Sequence, residues 1–450
     1  MVMNRKGMKT ALLSCLLMSA TAFSQTRPDS DKIAASQAGA SPLYFDVSAS
    51  NIPVIEASNF NNELECNVRG GFPGFFEKVN AGKKVLVAFI GGSITQANFG
   101  YRLQTARNLE QTYPQASFQW INAGVSGTGT ELGAFRINEQ VLNHQPDLIF
   151  IEFAVNGAYA AGMEGMIRQT IKKNPNTAIC LLYTILTGQT AFYQKNELPP
   201  NIKGLEQIAA YYDLPSVNLG MEPANLEAAG KLIWKGNPAD QEKILFSEDG
   251  IHPTTAGGNL YAAAIARAFK KIEAAKPLKK KELPKPLITA AWDEATMVDP
   301  STLPVLDQGW RVIATDTDPN LKKFSPWFSN VLSANKPGAT FSFRFKGDML
   351  GVFDIGGPEV GQLEWIIDGE PVKLLNRFNN YCYNRYRGQF DVIKVPHGDH
   401  LVKVTLSGQK ADKLMILPED KRADIVQHPE KYDQTVIYLG RILLRGTLLK

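Results

Sequence analysis

The chain has 450 residues, 44% of them hydrophobic, and a formal charge of +4. That length holds at least two cores, since a domain usually takes ~100–200 residues. Three of the net positive charges sit at Arg5, Lys6 and Lys9, in a segment read below as removed, so the remaining charge of +1 argues against nucleic acid as a partner.

The three basic residues precede the apolar run Ala11 to Met18 and the small residues Ser19, Ala20 and Ala22. This is the layout of a secretory signal peptide over 1–24, with cleavage expected before Gln25. The run is too short to span a bilayer, so a periplasmic or secreted protein is expected. Leu12-Leu13-Ser14-Cys15 is only a faint lipoprotein box, because little apolar sequence precedes it. Cys66, Cys180 and Cys382 remain after cleavage. An odd number allows at most one bridge; a Cys66–Cys382 pair stays open, and Cys180 reads as core.

Residues 25–80 form an N-terminal extension that has room to wrap a later domain. From 81 to 275 the pattern clears. Strand-like apolar runs recur at Val85–Ile90, Phe118–Asn122, Leu148–Phe153, Ala178–Tyr183 and Ser216–Leu219. Helix-period segments lie between them: Leu103, Ala106, Leu109 and Tyr113, then Phe135, Asn138, Val141 and Leu142, and finally Leu260, Ala264, Ile265 and Phe269. Alternation of this kind predicts an α/β domain, a parallel sheet sandwiched by helices. Residues 276–288, rich in Lys and Pro, read as a solvated linker. In 289–450 the period becomes two, as in Phe341, Phe343 and Phe345. Short runs at Met349–Phe353, Gln362–Ile367, Asp391–Val395 and His400–Leu406, with Gly347-Asp348, Asp368-Gly369 and Gly398-Asp399 as hairpin turns, predict a β-sandwich.

The chemistry concentrates in two stretches. Gly91-Gly92-Ser93-Ile94-Thr95 follows the first strand and delivers a serine into a tight turn. Asp249-Gly250-Ile251-His252-Pro253 sets a carboxylate and an imidazole three residues apart before a helix. Together they supply a nucleophile, a base and an orienting acid. Gly124 and Ser126 follow the second strand and Asn156 the third. Groups at the carboxyl ends of parallel strands share one crevice. His144 reads as a helix-end cap, and His397 and His400 are too sparse for a metal site. Glu131 and Arg136 either line the crevice or pair with each other.

With these blocks in order across about 84–273, the chain resembles the SGNH (GDSL-type) hydrolases. The resemblance implies a flavodoxin-like fold with a jelly-roll-like sandwich appended. It implies Ser93 as nucleophile, His252 as base and Asp249 as orienting carboxylate. It further implies an oxyanion hole from the N–H groups of Ser93 and Gly124 and the Asn156 amide. No cofactor or metal is required by that mechanism. Two positions depart from the family pattern: Gly92 stands where Asp usually precedes the serine, and Gly157 where Asp usually follows the asparagine. The nucleophile, base and donors are untouched by these departures.

An exported chain with an appended sandwich fits an esterase removing acetyl or other short acyl groups from a polysaccharide or oligosaccharide. The cluster Tyr381-Cys382-Tyr383-Asn384-Arg385-Tyr386-Arg387 offers aromatic faces for sugars and arginines for carboxylates. Arg136, Arg385 and Arg387 are the substrate-binding candidates. Arg385 and Arg387, if they face the crevice, favour a rival reading, a methyl esterase of uronic acid esters in pectin-like glycans. From another class, an inactive SGNH-fold carbohydrate-binding protein stays open through Gly92 and Gly157. Oligomeric state is not legible.

Overall fold

A computed structural model describes residues 29–49, 51–56, 58–237, 242–275 and 283–450. The leader, Cys15 and residues 276–282 of the linker lie outside the described residues.

The first unit is built on a seven-stranded sheet. Its strands are β1 (Tyr44–Phe45), β2 (Cys66–Asn67), β3 (Lys84–Gly91), β4 (Ser117–Gly124), β5 (Leu148–Glu152), β6 (Ala178–Tyr183) and β7 (Ser216–Asn218). They lie in the order β1-β4-β3-β5-β6-β7-β2. Every pairing from β4 to β7 is parallel. Each residue of β5 and β6 is buried, the mark of a sheet covered on both faces. The five parallel strands run 2-1-3-4-5, the flavodoxin-like order, and the order reverses at β3. Ser93 follows β3 and so stands at that switch point.

The extension does wrap, and it wraps this same sheet. β1 adds antiparallel to β4 and β2 adds antiparallel to β7, so one short strand protects each edge. Ahead of β1 runs helix α1 (Asp29–Gln37).

The second unit is a nine-stranded antiparallel sheet with a core that includes Phe341, Phe343, Trp365, Val404 and Leu439. Two turn expectations are corrected here. Gly347-Asp348 is a bulge inside one strand, Thr340–Gly356, and Gly398-Asp399 lies inside another, Arg387–Leu406. The two strands pair along their length, Gly347 opposite Gly398, so the chain bends at these residues without reversing. Asp368-Gly369 is the hairpin turn expected, with both residues at positive φ.

The two units share a buried junction. Trp292, fully buried, packs edge-on against Phe135 with ring centroids 5.3 Å apart. The Arg445 guanidinium lies 4.8 Å from its ring, and Gln169 donates to its carbonyl at 2.8 Å. Arg168 bonds Asp293 at 2.9 Å in the same layer. This seam fixes the second unit against the helices over Thr130–Gln140 and Ala160–Lys173 of the first.

Candidate active site

β3 ends at Gly91, and a single helical turn, Ser93–Gln96, starts at the serine. Far along the chain, Thr254 caps a helix over Thr255–Ala274 by accepting from the Gly257 N–H. His252 precedes that cap. The fold brings the two together: Ser93 Oγ lies 2.7 Å from His252 Nε2. His252 Nδ1 lies 2.6 Å from Asp249 Oδ2. The other Asp249 oxygen accepts from the N–H groups of Ile251 and His252, both at 2.8 Å. Partial burial pushes the Asp249 carboxyl up, but these three bonds outweigh it and hold the group well below the usual carboxylate range. An ionised Asp249 fixes the proton on His252 Nδ1 and leaves Nε2 facing the serine.

The oxyanion assignment changes at one residue. Gly124 closes β4, and its N–H already bonds the Asn122 side-chain oxygen at 3.0 Å. It is also packed under the Gln96 backbone, which a Cβ there would strike. Gly124 is therefore a close-packing position, not a donor to the crevice. Three residues on, Gly127 has φ +72°, a left-handed turn conformation, and among the described residues no acceptor takes its N–H. The sequence signal for it was present in Ser126-Gly127 of the same block. The Ser93 N–H is the first of its helical turn and is unsatisfied within it. The Asn156 amide sits directly over Gly92, where any Cβ would overlap it. That packing gives a physical reason for Gly92: a larger residue would displace the Asn156 side chain.

Beneath the turn, the buried Glu152 carboxylate accepts from Thr184 at 2.7 Å and Thr95 at 2.9 Å, and from the Gly92 backbone. Burial pushes this carboxyl up. Arg136 is a second correction. It is fully buried and donates to the carbonyls of Gly91, at 2.9 Å, and Ala123. It ties the ends of β3 and β4 together from behind, so it cannot touch a substrate. Burial pushes its guanidinium down to about 9. Nor does it pair with Glu131, which faces Lys394 and Arg445 of the second unit.

Two further contributions come from outside the motifs. The Gln37 amide, on α1, lies 3.1 Å from the same His252 Nε2 that meets the serine. Gln96 anchors this helix by donating to the carbonyls of Ser36 and Gly39, both at 2.7 Å. From the second unit, Arg387 stacks its guanidinium 4.6 Å from the Tyr381 ring and ends against Gly127. Burial pushes its ordinary value down. Arg385 is exposed and donates to the Tyr381 carbonyl at 3.0 Å. Among the described residues no group of three or more His, Cys, Asp or Glu side chains is placed to hold a metal ion. None of their helices is long and apolar enough to cross a membrane. The three cysteines are buried and unbridged.

Residues 89–260 match the model of the GDSL-like lipase/acylhydrolase family. No curated protein matches the chain. A two-domain esterase active on acetylated mannans, co-crystallised with mannopentaose, is similar at 21% identity with a TM-score of 0.61. The match covers 85% of this chain and 97% of that one. A second structure of such an esterase is similar at 22% identity and TM-score 0.61, over 83% of this chain and 94% of that one. An acetylxylan esterase from Geobacillus stearothermophilus matches at 20% identity and TM-score 0.32, over 41% of this chain and 94% of its own.

Proposed function

We propose that this chain, whose residues 89–260 match the GDSL-like lipase/acylhydrolase family, is a secreted serine esterase that removes acetyl or other short acyl groups from a polysaccharide or oligosaccharide. The observation that carries the reading is the continuous chain Ser93 Oγ–His252 Nε2–His252 Nδ1–Asp249, with steps of 2.7 and 2.6 Å. His252 takes the serine proton while Oγ attacks the ester carbonyl carbon. The oxyanion that forms is held by the N–H groups of Ser93 and Gly127 and by the Asn156 amide. The intermediate collapses, the carbon–oxygen bond to the sugar breaks, and His252 gives its proton to the departing alcohol. Water, deprotonated by His252, then releases the acyl group from Ser93. Asp249 stabilises the imidazolium in both steps.

The carbohydrate reading draws support from the shared two-unit architecture with an esterase active on acetylated mannans, and from the signal-peptide layout of 1–24. One observation favours the methyl esterase reading: Arg387 stands against Gly127, at the oxyanion loop, where a uronate carboxylate would meet a guanidinium. Release of acetate and of methanol, measured side by side from acetylated and methyl-esterified polysaccharides with Ser93→Ala as control, separates the two. Acetate from the unmodified chain alone is the expected result. Methanol alone would replace the reading with the methyl esterase. Neither product would remove both and leave a glycan-binding role.

A further inference from the structure

The family match begins at residue 89, yet α1, more than fifty residues earlier, touches the catalytic imidazole. Next to Gln37 on that helix is Ser36, buried, which lines a small recess beside the serine. Its other walls include Ser93, His252, Pro253, Phe99 and Tyr101. Its volume is about 10 Å³, close to what a single water-sized group needs. The serine itself is only 5% exposed. Ser93 is itself one of these walls, so an acyl group on its Oγ is bonded to a residue that lines the recess.

We infer that α1 is a substrate-selecting wall of the active site: the recess closed by Ser36 and Phe99 takes the methyl of an acetyl group and excludes longer acyl chains. The inference rests on the esterase reading and narrows its substrate class. The walls on the catalytic-unit side belong to the nucleophile turn and to the helix over Tyr101–Thr112, whose Tyr101 hydroxyl is tied to Thr95 at 2.8 Å. They cannot retreat without disturbing Ser93. α1 is held just as firmly, since Asp29 accepts from the Thr255 N–H at 2.8 Å and Gln96 holds two of the following carbonyls. A recess with fixed walls is filled by one methyl. Each further methylene then costs on the order of tenfold or more in rate.

The test is kcat/KM for 4-nitrophenyl acetate, propionate and butyrate, measured on the full chain and on Phe99→Ala and Ser36→Leu. The full chain is expected to favour acetate over butyrate by about 100-fold, from two methylenes at ~10-fold each. Phe99→Ala opens the recess, so the butyrate-to-acetate ratio rises at least tenfold. Ser36→Leu fills it, so acetate hydrolysis itself falls. A flat chain-length profile in an active enzyme, or a ratio unmoved by Phe99→Ala, overturns the inference and leaves the esterase reading standing. No hydrolysis of any of the three esters overturns the esterase reading, and this inference with it.

Discussion

Replacing Asn156 by Ala tests the proposal that its side-chain amide is one donor of the oxyanion hole. The side-chain amide lies over Gly92, next to the nucleophile, and among the described residues it makes no hydrogen bond. Its removal therefore breaks no bond that holds the fold together. The half-buried position, in the loop four residues past the end of β5, also leaves little apolar contact to lose. Stability is expected to stay within about 0.5 kcal/mol, as for a substitution away from buried networks. Catalysis is a different matter. A preorganised donor aimed at developing charge is worth ~100–1,000-fold in kcat, or about 2.7–4 kcal/mol. Because the charge develops only in the transition state, KM should change little while kcat carries the loss. The assay is steady-state hydrolysis of an acetyl ester, with thermal unfolding of both proteins as the folding control. Asn156→Asp keeps the shape but replaces donors with a carboxylate, so it should be slower still. A kcat loss below about threefold in Asn156→Ala, with the fold intact, would refute the assignment of this amide to the oxyanion.

Four other outcomes follow from the structure. Asp249→Asn should lower kcat by ~100–10,000-fold, because the imidazole loses both its tautomer control and the charge that stabilises it. The same variant should change the acid limb of stability. A carboxyl held below its unfolded value contributes above that value, ~pH 4, and the contribution is lost as pH falls toward its folded value. Chemical denaturation at pH 5 and pH 3 should thus show a larger loss in the unmodified chain than in Asp249→Asn. Trp292→Ala empties the centre of the junction and should cost about 3–5 kcal/mol, read as a lower denaturation midpoint; an unchanged midpoint would show the seam to be unimportant. Cys66, Cys180 and Cys382 should resist a thiol reagent at pH 8 in the native protein and react after denaturation, since burial pushes Cys66 and Cys382 up to about 11 and holds Cys180 well above the usual thiol range.

The parallel sheet was legible because β5 and β6 are uninterrupted apolar runs, and few other structures bury every residue of a short strand. The serine and the Asp-x-x-His segment were legible because their geometry is largely local: a turn after a strand, and a carboxylate that bonds N–H groups two and three residues on. What was missed depends on partners remote in sequence. The Gly124 N–H looks available until Asn122 is seen to fold back onto it. Arg136 looks like a crevice residue until its guanidinium is found under the carbonyls of two strand ends. The hairpin turns expected at Gly347 and Gly398 are instead opposite one another in a bent ladder, because Gly-Asp suits a bulge as readily as a turn. The meeting of Gln37 with His252 spans 215 residues and carries no local signature.

Covalent acylation of Ser93 is the central step of the proposed reaction. The most direct measurement is labelling with a fluorophosphonate, followed by mass spectrometry of the peptide that carries the label. The expected result is one adduct, on Ser93, formed much more slowly in His252→Ala and absent from Ser93→Ala, which also hydrolyses no ester. Ester hydrolysis that persists in Ser93→Ala, or a label placed on another residue, would contradict it.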